Sequence, residues 1–594
     1  MTPSHATGPA PAGSLAPRRR GAWARLPAAW RQSLVLVGLI GLALVPLAYV
    51  LERSAPGRLN IVYWDEFDTA LRLAVKLHEG QPVGAFLQDL VAINNEHRMV
   101  TSRLLFAVLY WTTGTIDFGV VGSIGVGSLI VLVVLLAATA GTAARGVRLA
   151  VLLAFLLFQL EHYENFLWSG ASIDHFTVVL LLGAAVVGLA RGGTAGLVAA
   201  GVAGTAATYT LAHGLVIWPL GALLLFLTPG RRGLLPWLAL SVVVVGTYFT
   251  GFKVNPSQSF VAFGPEGILQ ILHYWLSILG AVPALDSQRW APWLGAGLLA
   301  VFGYAAARGG LRRERIAVFL ALGLIGAAGL IAVGRAAESG GQVFSRYYVL
   351  SGTAWALALF AALERHTHPR RPWQVLAPLL PALIAFNATA NREFADETNS
   401  WIECRNLAVL AYKQHGVDGR GNFRLHPHPN RVSTPLLRQA EHLGVYRMGS
   451  ICLPEPLPPG AREVGTLQYS IDDLAVNDLA LTVRGWAAAT GRAAVRGSIH
   501  LVLRSAQSTH VYSAVPTTRP DVAQALQQPK WVDAGFHFAR RLDRLPAGEY
   551  HLGFLIDDGS RPEFTLSAHR VVIDGPRSRV LPATPTPSAA APAR

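Results

Sequence analysis

Charge and cysteine are scarce in this chain. Only 14% of its 594 residues are charged, against about 25% in soluble domains. The 52% that are hydrophobic, with a mean hydropathy of +0.38, put much of the chain in lipid rather than in one soluble core. Acidic residues number 35 against 50 Lys and Arg, a net charge of +15. That surplus raises nucleic acid as a partner. The arginines, however, sit in short clusters beside apolar runs, and no basic groove motif with interleaved aromatics is present, so nucleic-acid binding is set aside. The two cysteines, Cys404 and Cys452, form no CxxC or Cys/His cluster, which argues against structural zinc. Both follow the last apolar run, so a disulfide between them is expected if that part lies outside the cytoplasm; the alternative is two unrelated thiols. There is no P-loop, dinucleotide fingerprint or nucleophile elbow. Without ATP machinery, the energy for any transfer has to come from an activated substrate or an ion gradient.

What is present is a series of apolar runs. A span needs roughly 20 apolar residues. The candidates are 33–51, 118–140, 148–161, 172–190, 195–212, 214–228, 234–252, 291–308, 316–334, 346–363 and 373–390. Two further stretches, 100–113 and 265–284, read as spans or as helices lying at the membrane surface. The tail 1–32 carries Arg18, Arg19, Arg20, Arg25 and Arg31 and no acid. The run after it is long for a signal sequence and lacks a small-x-small cleavage site, so it reads as an uncleaved first span with a cytoplasmic N-terminus. Arg145 and Arg148, Arg191, Arg231 and Arg232, Arg308 to Arg315 and Arg365 to Arg371 all fall on the cytoplasmic side if 100–113 and 265–284 do not fully cross. The expected fold is therefore a polytopic α-helical membrane protein of about eleven spans. Its external loops are 52–117, 161–171, 253–290 and 335–345, with everything after 390 also outside.

Composition divides the chain further. Residues 1–32 read as a disordered cytoplasmic tail, 33–390 as the transmembrane domain and 391–463 as a polar, Pro-rich connecting region. In 464–576 short alternating runs replace the long apolar ones. Ile499, Leu501 and Leu503 alternate with His500, Val502 and Arg504, the period of a half-buried strand. Several such runs between turns suggest an extracytoplasmic β-sandwich. Trp486, Tyr512 and Trp531 within it read as sugar-stacking surfaces or, more often for such residues, as core. The tail 577–594 is Pro/Ala/Thr/Ser-rich and reads as disordered.

The unusual polar clusters gather in the external loops. The first loop contains Tyr63-Trp64-Asp65-Glu66-Phe67-Asp68. Its aromatics place the carboxylates at the membrane interface, where partial desolvation raises a carboxyl pKa and suits it to act as a base. Taken alone, the cluster is as well read as a solvated acidic loop. The same loop holds Asn94-Asn95-Glu96-His97-Arg98, followed by Arg103. Its cations suit a phosphate, or equally a capped helix start with snorkelling arginines. The second loop holds Glu161-His162-Tyr163-Glu164-Asn165 and Trp168. Such groups are expensive against lipid and more naturally line a polar cavity. Glu161, His162 and Glu164, or Asp65 with Glu161 and His162, are the residues that would hold a divalent cation such as Mg or Mn, although adjacent positions rarely converge on one ion. Gly334-Arg335 and Ser345-Arg346-Tyr347 complete the set. Arg346 reads as a phosphate partner or as an interfacial anchor, and His213 and Lys253 are weaker candidates.

This layout resembles the GT-C superfamily of integral-membrane glycosyltransferases, which use polyprenyl-phosphate-linked sugars and place an acidic pair in the loop after the first span, where Trp64-Asp65-Glu66 stands. It bears a closer likeness to a bacterial subgroup with a Trp-Asp-Glu start, an Asn-Glu-His-Arg segment like 95–98 and a Gly-Arg…Ser-Arg-Tyr segment like 334–347. It is more distantly similar to lipid A aminoarabinose transferases, which carry Lys-Pro-Pro where this chain has Glu96-His97-Arg98. The resemblance covers roughly residues 30–390. It implies a bacterial inner-membrane enzyme that transfers a sugar to an envelope glycan or glycolipid by inverting displacement on the periplasmic side. Asp65 would be the base and Glu66 an orienting acid. Arg98, Arg346 and Arg335 would hold the donor phosphate, and Glu96, His97, Glu161, His162 and Tyr347 would contact substrate. Rival readings are a transporter or flippase of a lipid-linked glycan, an O-antigen ligase or polymerase, and a non-catalytic assembly factor. The first needs a polar path through the span interiors, where few ionisable residues stand.

Overall fold

The computed structural model describes residues 28–57, 60–95, 97–230, 232–252, 264–337, 341–366, 376–418, 424–448, 457–458, 460–476, 480–495, 498–541, 547–558, 561–574 and 577–582. Most of the two expected tails, together with Glu96, Lys253 and Cys452, lies outside the described residues, and the Cys404–Cys452 pairing lies outside them as well.

The membrane half is helical. Its long helices are α1 (Ala28–Ser54), α2 (Val100–Thr113), α3 (Phe118–Thr139), α4 (Ala143–Leu157), α5 (Thr177–Arg191), α6 (Gly193–Thr208), α7 (Ile217–Phe226), α8 (Leu234–Phe249), α9 (Pro265–Ala284), α10 (Ala291–Ala305), α11 (Arg315–Arg335), α12 (Tyr348–Leu363), α13 (Leu376–Glu393) and α14 (Ala395–His415). Their starts are written in the sequence: Asp117 accepts hydrogen bonds from the Gly119 and Val120 amides at the head of α3, and Thr142 accepts from Arg145 at the head of α4, the usual N-cap chemistry. Among the described residues seven helices are long and apolar enough to cross a membrane: Gln32–Ser54, Phe118–Thr139, Ser169–Arg191, Pro265–Ala284, Gln288–Arg313, Arg315–Arg335 and Ser345–His366. The chain is a membrane protein.

Several boundaries differ from expectation. The stretch 265–284, set aside as a non-crossing segment, is a 20-residue helix that meets the criteria for a span. It packs tightly on α10. A Cβ on Gly280 would stand 1.9 Å from the Ala291 carbonyl oxygen, and one on Gly295 2.0 Å from that of Leu276. Only glycine permits that backbone approach, a common device between membrane helices. The run 148–161 becomes α4 followed by Leu160–Leu167, bent by 60°. The runs near 195–252 form shorter apolar helices; at 1.5 Å per residue, sixteen residues reach about 24 Å, less than the hydrocarbon core of about 30 Å.

The bundle has two chemically distinct ends. At one, loops far apart in sequence meet in an ion-pair cluster. Arg148 donates to both oxygens of Glu364 at 2.7 and 2.8 Å, while Arg145 pairs with Glu314 and lies 3.3 Å from Glu364. Helix α11 begins beside Glu314 and ends at Arg335; α12 begins after Arg346 and ends before Glu364. The cluster is therefore roughly 30 Å from the other end, where the acidic and histidine-bearing loops gather.

Beyond the membrane half, α14 and the segment 425–448 bury Ala408, Val409, Leu425, Leu437 and Tyr446 against Ile61, Val62, Phe67 and Leu71 of the first loop. The C-terminal β-rich region has two sheets. One has the order β1 (Arg462–Glu463), β9 (Glu563–Ile573), β8 (Gly548–Ile556), β4 (Ile499–Arg504), β5 (Thr509–Ser513), with β10 (Arg579–Leu581) pairing β9; the other runs β2 (Leu467–Val476), β3 (Ala480–Ala489), β7 (Gly535–Arg541), β6 (Val515–Thr517). Leu481, Val483, Leu501, Phe536, Phe538 and Phe554 from both sheets share one core. Strand β4 departs from the expected half-buried alternation: Val502 is buried with Leu555 and Phe564 on the opposite face. Trp531 and Tyr512 are core residues, Trp531 donating its indole N–H to the Arg492 carbonyl at 2.9 Å, while Trp486 is half-buried.

The ion-pair cluster carries a stability prediction. Glu364→Ala strands the buried Arg148 guanidinium and should cost about 3–5 kcal/mol. Thermal unfolding of the purified protein in detergent measures this, and a loss below about 1 kcal/mol would mean that solvent already screens the pair.

Candidate functional site

The first external loop is held from behind by the segment after α14. The Tyr446 hydroxyl accepts from Val62 N at 3.0 Å and donates to the Asn60 carbonyl at 2.9 Å. Asn60 caps the Phe118 amide at 2.9 Å and donates to the Arg447 carbonyl at 2.7 Å, and Trp64 N donates to the Leu425 carbonyl at 2.8 Å. Arg405 is buried; it donates to the carbonyls of Ile61 (3.0 Å) and Leu167. It stacks 4.8 Å from the Trp401 ring and 5.6 Å from that of Tyr63. So clamped, the chain passes Trp64 with φ of +52°, a left-handed conformation unusual for a bulky residue, just before Asp65 and Glu66.

Glu66 points into the protein and is 1% exposed. Its Oε2 accepts from Tyr63 N at 2.7 Å and its Oε1 from Gly170 N at 2.5 Å. Gly170 allows this contact, since a Cβ there would lie 3.2 Å from Glu66 Cγ. Burial pushes the Glu66 carboxyl up to about 7, against the opposing pull of Arg405 and of these amide hydrogen bonds. Asp65 is half-buried and faces a cavity of about 690 Å³.

That cavity joins most of the sequence-predicted residues. Asp65, Glu66, His97, Arg335, Arg346 and Tyr347 all line it. Arg346 is held by Glu164, which accepts from its backbone N at 2.9 Å and from Nη1 at 3.2 Å. Its guanidinium sits 4.3 Å from the Phe344 ring centre, 5.3 Å from that of Tyr347 and 5.8 Å from that of Trp168. His97 Nδ1 accepts from Ala212 N at 3.1 Å, which leaves the ring proton on Nε2. Burial, reinforced by the charges of Arg335 and Arg346, holds this imidazole well below its usual pKa, and hence neutral. The other wall is apolar, with Leu211, Phe249, Phe252, Leu330, Ile331 and Val333. The chamber thus presents carboxyl groups, cationic guanidiniums and imidazoles against an oily face.

Three expected site residues stand elsewhere. Arg98 is not on the cavity: Nε donates to the Tyr248 carbonyl at 2.7 Å, Nη1 to that of Val91 at 2.5 Å and Nη2 to that of Thr250. It pins the loop to the end of α8, each of its three side-chain nitrogens donating to a backbone carbonyl. Glu161 and His162 are also off the cavity, fully buried. Glu161 accepts from the Gln159 side chain at 2.9 Å, and His162 Nε2 lies 3.1 Å from the Leu156 carbonyl. Asp65 lines the cavity while Glu161 and His162 do not, so the three do not converge. Among the described residues no group of three or more His, Cys, Asp or Glu is arranged to hold a metal ion.

Two cavity residues escaped the sequence reading, Asp174 and His175. They lie in Ser172–Phe176, a widened helical turn at the start of α5; such turns recur at functional sites. Asp174 accepts from the Ser102 hydroxyl. The signal was there: an Asp-His pair interrupting an apolar run is costly unless it faces a cavity. His213, a weaker candidate from the sequence, is 3% exposed and stacks on His175 with ring centres 6.1 Å apart.

Comparison of the chain with family models, with curated proteins and with solved structures found no match. The site is therefore read from its own geometry.

Glu66 sets a pH dependence. Between its ordinary 4.5 and about 7, the folded protein keeps a proton that the unfolded chain has lost. Stability conferred at this position is highest below pH 4.5, falls as pH rises through that window and levels off above 7, a change of at most about 3 kcal/mol. Glu66→Gln should flatten that slope in thermal unfolding measured from pH 5 to 8. An unchanged slope would assign the titration to another group.

Proposed function

We propose that this protein is a membrane glycosyltransferase of the GT-C type, which moves a sugar from a polyprenyl-phosphate donor to an envelope glycan or glycolipid. The observation that carries the reading is the joint placement of Asp65 and Arg346 on one cavity whose remaining wall is apolar. An amphipathic chamber at the end of a helical bundle suits a lipid-borne phosphate: the chain lies against Phe249, Leu330 and Val333, and the head group meets the guanidiniums. In the proposed reaction the acceptor hydroxyl gives its proton to Asp65 and its oxygen attacks the anomeric carbon from the face opposite the phosphate. The C1–O bond to phosphate breaks, its electron pair goes to the phosphate oxygen, and the configuration inverts. Arg346, with Arg335, stabilises the charge that develops there, the kind of effect that usually contributes most to such a step.

Asp65 is favoured as the base over Glu66 because its side chain faces the cavity, while both Glu66 oxygens accept backbone amides. Glu66 is a positioning residue that fixes the strained turn. Arg98 acts through its carbonyl contacts and not on the donor. The two ends of the bundle support a bacterial inner-membrane orientation with the Arg145–Glu364 cluster in the cytoplasm and the cavity, the region after 390 and its β-sandwich outside, as the arginine-rich loops imply. About eleven crossings fit this arrangement only if some of the shorter apolar helices cross with their flanking residues.

Asp65→Asn should lower sugar transfer by about 10²–10⁴-fold in proteoliposomes supplied with a polyprenyl-phosphate sugar, with unfolding temperature unchanged. Transfer at the normal rate would remove Asp65 as the base. Arg346→Ala should raise the KM for the donor and leave the acceptor dependence as it was; the reverse pattern would move the donor phosphate elsewhere. Net lipid translocation without sugar transfer would support a flippase instead.

A further inference from the structure

His175 and His213 come from different elements, the widened turn before α5 and the Ala212–Val216 turn before α7. Their rings stack 17° from parallel at 6.1 Å, and both line the cavity. They are 8% and 3% exposed, and neither Nδ1 of His175 nor Nε2 of His213 has a hydrogen-bond partner. Buried polar atoms in folded proteins are nearly always partnered, and an orphan is costly. A histidine serving only to pack would be better replaced by an aromatic without nitrogen. Two adjacent histidines with unpartnered nitrogens, both lining one chamber, point to a ligand that hydrogen-bonds to them.

The surroundings indicate its charge. The Tyr347 ring lies 5.5 Å from that of His175, and the Arg346 guanidinium lies 5.3 Å from the Tyr347 ring centre. His97, Arg335 and Arg346 bring donors or positive charge to the chamber, and Asp65, Glu66 and Asp174 stand on its acidic side. We propose that His175 and His213 form a subsite for the phosphate of the departing lipid, each donating an N–H to a non-bridging oxygen. This rests on the glycosyltransferase reading and extends it. In transfer, the donor phosphodiester carries one negative charge. When the C1–O bond breaks, its electron pair stays on the phosphate, which becomes a monoester with two charges, while the acceptor proton goes to Asp65. Imidazole N–H groups strengthen their hydrogen bonds as that charge grows, so they favour the product-like state over the bound donor without adding a fixed cation.

The test compares two probes on the full-length protein in nanodiscs: farnesyl monophosphate and its methyl diester, which keeps one charge. Wild type should bind the monoester about tenfold or more tighter than the diester. His175→Phe and His213→Phe keep a ring but lose the N–H; each should bring that ratio to within about threefold, the larger loss of affinity falling on the monoester. Arg346→Ala should weaken both probes. A ratio unchanged in both histidine variants overturns the subsite. Wild type that binds neither probe overturns the glycosyltransferase reading itself. If the phenylalanine variants do not fold, wild type alone decides: the monoester should slow diethyl pyrocarbonate modification of His175 and His213 more than the diester does, and equal rates overturn the proposal.

Discussion

The Tyr446 hydroxyl between Val62 N and the Asn60 carbonyl is the contact on which the rest of the site depends. It joins the loop after the first helix to a segment more than 380 positions later, at the point where the backbone leaves the membrane end of the bundle. Arg405 reinforces it by donating to Ile61 and Leu167 from α14. Without this clamp the turn through Trp64, with its positive φ, would relax to an ordinary extended path. Glu66 would lose its two amide donors, and Asp65 would have no defined direction. The region after residue 390 is therefore part of the site's framework and not an appendage to it.

Electrostatics divides the molecule along the helix axes. At one end Arg145, Arg148, Glu314 and Glu364 neutralise one another. At the other, Asp65, Arg335 and Arg346 line one chamber together with His97, His175 and His213. Charge on an apolar background is expensive unless it is paired. Arg346 illustrates the compromise: Glu164 pairs with it, and three aromatic rings surround its guanidinium, so the cation is held in place without being buried in a closed ion pair.

Much of this was legible in the sequence because it is local. Runs of apolar residues need only length to be read as helices in lipid. The acids at 65 and 66, the arginines at 335 and 346 and the histidine at 97 stood out as polar groups at helix ends. Misreadings came where neighbours in sequence diverge in space. Arg98 follows His97, yet one side chain reaches three carbonyls and the other the cavity. Glu161 and Glu164 are three positions apart, yet only Glu164 reaches Arg346. The helix at 265–284 was legible as an apolar helix, whereas its glycine-mediated contact with α10 has no counterpart in composition.

Amino-acid content alone established a membrane protein with long apolar helices, chemically unlike ends and a strand-rich C-terminal part, because burial in lipid and strand alternation are properties of short windows. Tertiary structure decided that Glu66 accepts the Tyr63 and Gly170 amides, that Arg335 and Arg346 but not Arg98 line the chamber, and that His175 and His213 meet at all. Those outcomes follow from side-chain direction and from contacts between segments tens to hundreds of residues apart. No periodicity encodes them; they are fixed only when the loops close over a common cavity.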